Sequence, residues 1–244
     1  MVNYRKLIIA IGLFVCSHSY AFSWINVTAK SWLVADDSGK IIQSENPDQQ
    51  RSIASISKLM TVMVVLDKKL DLNETIGKFT RQQLIDMALI RSDNQAARSL
   101  CESYPGGSPA CIWAMNVKAR FLGMPNTSFV EPTGLSVFNV STARELITMV
   151  QAASHYPEII KAAETNEVKI KIRNKWLVFH NTNPIIGKRH KFIVSKTGYI
   201  NASGGCIVLM LDTEIGKRIV IVLGSKNTHT RIPEAEFIFE NVKE

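Results

Sequence analysis

The chain of 244 residues is 46% hydrophobic and 20% charged, with 13 glycines and 8 prolines. That is the composition of a folded globular protein and excludes the disordered and collagen-like classes. Its 29 basic and 21 acidic residues give a net charge of +8, which suits an anionic partner without naming one, and four cysteines in so long a chain exclude a disulfide scaffold.

In chain order, the first segment reads as a secretory signal over residues 1–21. Arg5 and Lys6 supply a positive start, 7–15 form a short apolar run, and Ser19-Tyr20-Ala21 places small residues at both cleavage-determining positions. Leu13-Phe14-Val15-Cys16 lacks the small residue that lipoprotein processing wants. No apolar run reaches the roughly 18 residues of a spanning helix, so the expected membrane contact is at most peripheral. Cleavage after Ala21 removes two basic and no acidic residues, leaving 27 against 21, or +6. The expectation is a periplasmic protein whose remaining residues, 22–244, form one domain.

Two strands, 29–36 and 40–43, flank the Asp37-Ser38-Gly39 turn as a hairpin. Residues 55–66 are apolar nearly all round, as in a helix buried mid-domain. Helices are expected at 82–90, 93–101 and 110–122. Cys101 and Cys111 flank the Tyr104-Pro105-Gly106-Gly107 turn. In an oxidising compartment they form a bridge; in a reducing one they are two core thiols at the ends of successive helices. Cys206, among apolar residues, reads as core. A capping-box-like start opens a helix over 141–153, and 158–164 forms another. Strict alternation over 167–172 marks a half-buried strand with a solvated lysine face. Strands follow at 192–194, 205–212 and 218–224, and an amphipathic helix over 232–242 docks on the sheet with its glutamates on the polar face. This order predicts an α+β sandwich: an antiparallel sheet of about five strands flanked by helices, plus an all-helical lobe.

Several chemistries are missing. The histidines lack zinc-peptidase spacing, no G-x-S-x-G elbow exists, and there is no phosphate-binding or dinucleotide loop. What remains is Ser55-Ile56-Ser57-Lys58 at the start of the buried helix. Three residues along a helix bring Lys58 to the face of Ser55, burial disfavours its ammonium, and the amine is then a base for the serine hydroxyl. Ser92-Asp93-Asn94 places a second hydroxyl and an amide at a helix start facing the same cleft. Lys196-Thr197-Gly198 follows the apolar strand 192–194, on or near a sheet edge, where lysine and hydroxyl can hold a carboxylate and Gly198 admits substrate backbone.

S-x-x-K, S-D-N and K-T-G in this order resemble the signature of penicillin-binding proteins and serine β-lactamases. Ile53 to Thr61, Glu131-Pro132-Thr133-Gly134-Leu135-Ser136, Asn139-Val140-Ser141-Thr142-Ala143-Arg144 and Lys196-Thr197-Gly198-Tyr199 resemble the low-molecular-mass serine D-alanyl-D-alanine peptidases. Tyr104-Pro105-Gly106-Gly107 and His180-Asn181-Thr182-Asn183 are most similar to the small endopeptidases among them. The resemblance spans roughly 29–225. It implies that Ser55 is the nucleophile, Lys58 its base and Ser92 a proton relay to the leaving amine. Asn94 would position Lys58 and the substrate amide, Lys196 and Thr197 would bind the terminal carboxylate, and the N–H groups of Ser55 and Tyr199 would form the oxyanion hole. It further implies peptidoglycan stem peptides as substrate, β-lactams as covalent inhibitors, and neither metal nor cofactor.

The stretch between Lys58 and Ser92 is shorter than in that family, which bears on substrate preference. Neither a second β-domain nor a basic anchoring helix is expected after the last helix. Two other readings compete. A β-lactamase would need a deacylating base, for which Glu131 is the one carboxylate at a tempting distance. A non-catalytic peptidoglycan-binding module would bind muropeptides without acylation. Nucleic-acid binding rests on charge alone and is not expected.

Overall fold

The computed structural model describes residues 26–188 and 190–242. The expected signal sequence, with Cys16 and His18, lies outside them. Strand β1 (Ser31–Asp36) turns into β2 (Ile41–Glu45), the Asp36 carboxylate accepting from Ser38 Oγ at 2.6 Å and Lys40 N at 3.0 Å. A two-residue strand β3 (Arg51–Ser52) and one 3-10 turn over 54–56 lead into helix α1 (Ser57–Asp67). The small hairpin of β4 (Thr75–Ile76) and β5 (Phe79–Thr80) precedes α2 (Arg81–Asp86), which widens into a π-helical turn over 87–91. Helices α3 (Asn94–Glu102) and α4 (Gly107–Phe121) follow. Strand β6 (Val140–Ser141), paired with β3, leads to α5 (Ala143–Ala153) and α6 (Pro157–Glu164). The chain continues through the hairpin β7 (Glu167–Ile172) and β8 (Lys175–His180), then β9 (Lys191–Ile200), β10 (Gly204–Thr213), β11 (Gly216–Ser225) and α7 (Arg231–Glu240).

Five strands form one antiparallel sheet in the order β2-β1-β11-β10-β9. Both faces are covered, which explains why its inner strands read as continuous apolar runs. Val208, Met210, Ile219 and Ile221 face the helical lobe, where α1 contributes Leu59, Met60 and Met63. Ile207, Leu209, Val220 and Val222 face α7, meeting Ile232, Ala235 and Ile238. Each such side chain contributes about 1.5–3 kcal/mol on burial.

The structure differs from the sequence reading at several places, among them β9, which runs from Lys191 to Ile200 and carries Lys196-Thr197-Gly198 within the strand. Lys175-Trp176-Leu177-Val178-Phe179-His180 is a strand that was not anticipated, because its apolar residues fall on both faces and only Phe179 is buried. Helix α4 starts at Gly107, three residues early, since Pro109 is tolerated in a first turn. Glu234 of α7 is not on a polar face. It is 1% exposed, and its carboxylate accepts from Thr28 N at 3.0 Å, Thr28 Oγ1 at 2.6 Å, Ala29 N at 3.1 Å and Ser225 Oγ at 2.7 Å. A carboxylate with that many donors can be buried.

Cys101 and Cys111 are joined by a disulfide with Cα atoms 5.4 Å apart, tying the end of α3 to α4. Closing so short a loop is worth about 3 kcal/mol in the chain-entropy model. Cys206 is a buried free thiol.

Candidate active site

Ser55 lies in the 3-10 turn that leads into α1. Ala54 before it has φ +46°, a conformation that costs a non-glycine residue energy and persists only when neighbours enforce it. They do so here. Ser57 Oγ donates to Ala54 O at 2.8 Å and Asn139 Nδ2 donates to Ser57 Oγ at 3.0 Å.

One turn on, Lys58 is fully buried. Its Nζ donates to Ser55 Oγ at 2.8 Å, Asn94 Oδ1 at 2.8 Å and Thr133 O at 2.6 Å. Burial lowers its pKa to about 7, against an upward pull from the Glu131 and Asp93 carboxylates, while Arg98 lowers it further. The amide and carbonyl oxygens can only accept, so a neutral amine must spend its two N–H groups on them. Its lone pair is then left for the Ser55 hydroxyl.

Ser92 ends the π-helical turn at φ +63°, and Asp93 then caps α3 by accepting from Ala96 N at 2.8 Å. The Ser92 hydroxyl bonds to Lys196, whose Nζ donates to Ser92 Oγ at 2.8 Å and Thr197 O at 2.9 Å. Lys196 is 1% exposed. Burial pushes its pKa well below the usual lysine value, and the Lys58 and Arg231 cations push it the same way. Thr197 Oγ1 donates to Thr182 Oγ1 at 2.6 Å, and Arg231 Nη1 donates to the Gly198 carbonyl at 2.8 Å. Tyr199, half exposed, bonds through its hydroxyl to Asn201 Oδ1 at 3.2 Å.

Gly198 packs closely on the turn that carries the nucleophile. A Cβ there would stand 2.9 Å from Ser55 N and 3.1 Å from Ile53 O. The missing side chain lets β9 close against the nucleophile's own turn, one residue from the Tyr199 N–H.

The loop 131–136 is the third wall. Glu131 Oε2 accepts from Thr133 N at 2.7 Å and Thr133 Oγ1 at 2.6 Å. Its Oε1 accepts from Gly134 N at 2.6 Å, Ser136 N at 3.3 Å and Asn139 Nδ2 at 3.1 Å. Gly134, at φ +82°, presses on the Ala54 carbonyl so closely that no Cβ fits. Glu131 thus aims the Thr133 carbonyl at Lys58. With five donors on its two oxygens it is a structural carboxylate, and the base that a β-lactamase reading needs is lost.

The structure therefore brings Ser55, Lys58, Asn94, Ser92, Lys196, Thr197 and Gly198 together. It adds Asn139, Thr182, Arg231 and the Thr133 carbonyl. Asn139 and Thr182 sit in stretches that the sequence reading used only as family wording, and Arg231 carried no local signal.

An amine base, a serine hydroxyl on its lone pair and a second serine on a second dry lysine make a serine acyl-transfer enzyme. Among the described residues, no hydrogen bond at Ser55 involves a histidine. The chain belongs to the D-alanyl-D-alanine carboxypeptidase family, which matches its residues 18–77 and 71–227. It is 39% identical to a D-alanyl-D-alanine endopeptidase of Pseudomonas aeruginosa over 84% of this chain and 74% of that one. It is likewise 39% identical to a D-alanyl-D-alanine endopeptidase of Escherichia coli over 86% of this chain and 75% of that one. Among solved structures, a mutant Streptomyces DD-transpeptidase superposes with a TM-score of 0.81 at 24% identity, covering 88% of this chain and 98% of that one. A penicillin-binding protein of Listeria monocytogenes in its ampicillin-bound form gives 0.79 at 25%, covering 88% and 97%. The chain is a serine-type DD-peptidase.

Glu131→Gln is expected to slow acylation of Ser55 by penicillin about tenfold, since an amide leaves part of the buried donor set unpaired. The acidic limb of the rate should also move to lower pH, because the lost carboxylate no longer holds the Lys58 ammonium. Stopped-flow acylation against pH checks both, and an unmoved limb would reduce Glu131 to a loop anchor.

Proposed function

We propose that the protein is exported to the periplasm with loss of residues 1–21 and acts on peptidoglycan, cutting D-alanyl cross-links between stem peptides. Ser55 Oγ attacks the D-alanyl carbonyl while its proton passes to neutral Lys58. The bond from carbonyl carbon to nitrogen breaks, and the proton taken by Lys58 passes on through Ser92, held by Lys196, to the leaving amine, which leaves Lys58 neutral again. Water then hydrolyses the Ser55 ester, and Lys58 again takes the proton. The Ser55 and Tyr199 N–H groups receive the oxyanion, and Arg231 and Lys196 supply positive charge for a carboxylate.

The observation that carries this reading is the fully buried Lys58 amine 2.8 Å from Ser55 Oγ. The choice of cross-link over terminal D-alanine is supported by the two endopeptidases at 39% identity. Incubation with purified cross-linked muropeptide dimers and with monomeric pentapeptides tests it. Penicillin-sensitive conversion of dimer to monomer is expected to exceed release of D-alanine from the pentapeptide. The reverse order would make the protein a carboxypeptidase.

A further inference from the structure

Two hairpin turns face one another beside the catalytic cleft. Lys78 stands in the β4–β5 turn, and Arg173 and Lys175 at the β7–β8 turn. Together with Asn174 and Leu177 they line one cavity of about 560 Å³. A second hollow, of about 300 Å³, shares Lys78 and passes Phe79 to Asp93, the residue after Ser92. Lys78 lines both, so the two hollows adjoin as a trough between Asp93 and the hairpin tips.

The charges in this trough are unbalanced. Lys78, Arg173 and Lys175 are all exposed, and none makes an ion pair with a described residue. No carboxylate lines the larger cavity. At the near end, Asp93 is spent on capping α3. Some exposed cations elsewhere are paired with acids, as Arg144 is with Asp48 and Lys191 with Asp212. Three unpaired cations converging on one hollow attract an anion of more than one charge.

We propose that this trough is a subsite for the free carboxylates of the substrate's stem peptide, held by Lys78, Arg173 and Lys175 away from the scissile bond. The inference rests on the peptidoglycan reading above and adds what that reading lacks, a means of preferring a polyanionic peptide to a small D-alanyl amide. It also assigns a use to the short segment between Lys58 and Ser92, whose β4–β5 turn presents Lys78.

The test combines the full-length triple variant Lys78→Ala, Arg173→Ala, Lys175→Ala with two cross-linked muropeptide dimers, one bearing free carboxylates and one amidated. The wild type should cleave the free-carboxylate dimer with the higher kcat/KM, an advantage that shrinks with added salt. The triple variant should lose about tenfold in kcat/KM on that dimer, through KM, as expected of three exposed ion pairs. It should cleave the amidated dimer as the wild type does and acylate with penicillin at the wild-type rate, which also shows that it is folded. Equal kcat/KM for wild type and variant on the free-carboxylate dimer, or an equal loss on both dimers, overturns the subsite and leaves the DD-peptidase reading standing. A wild type that takes up penicillin but cleaves neither dimer overturns the cross-link reading, and the subsite with it.

Discussion

A Ser55→Ala protein should take up no label from a fluorescent penicillin and should lose about 10⁴-fold or more of its hydrolytic rate. Its unfolding midpoint should stay close to that of the wild type. The expectation of complete loss follows from the geometry, because among the described residues the only hydroxyl on the Lys58 amine is that of Ser55. Ser57 is nearer in sequence but is buried, and its hydroxyl is spent on the Ala54 carbonyl and Asn139. Ser92 is bonded to the other lysine. The measurement is a denaturing gel of labelled wild type and variant. A band persisting in Ser55→Ala would move the nucleophile to one of those two serines.

The second large effect belongs to Lys58. Lys58→Met should slow acylation by about 10²–10⁴-fold, the range for removing a positioned general base. The pH dependence identifies the base more sharply than the loss of rate. A lysine is competent to take the serine proton only when neutral, and burial lowers its pKa to about 7. Acylation of the wild type should therefore be flat above that value and fall about tenfold per pH unit below it. In Lys58→Met the acidic limb should vanish along with the rate. A limb of unchanged midpoint in the variant would show that another group titrates.

How much of this was legible beforehand follows from the range of the interactions. Ser55 and Lys58 share one helical turn, and the apolar run after them already announced that the lysine is dry. The sheet was legible for the same local reason, since buried strands and the β1–β2 turn carry their signals in adjacent residues. The rest depends on contacts between distant segments. Thr133 donates a backbone carbonyl, which no side-chain pattern records, and its direction is set by Glu131 and by Gly134 against Ala54. Arg231 reaches Gly198 across 33 residues from a helix whose pattern shows only how it packs. The motif glycine at 198 was visible, but its close packing on the serine's own turn was not, because those atoms lie far away in the sequence. Strand β8 escaped for the opposite reason. Its residues give no periodic signal, since the hairpin leaves most of them in solvent.

The two dry lysines also bear on the history of the chain. Each is a cation withdrawn from water without a bonded acid, and a lysine whose pKa falls to about 7 weakens the fold increasingly as pH drops from 10.5 toward that value. The cost is on the order of a few kcal/mol, a large part of what holds an ordinary domain together. A lineage that had drifted into passive adhesion would gain stability from the first mutation replacing either residue with methionine or leucine, and drift alone would supply it. Two lysines buried at that cost suit a site that moves protons and not a surface that only adheres.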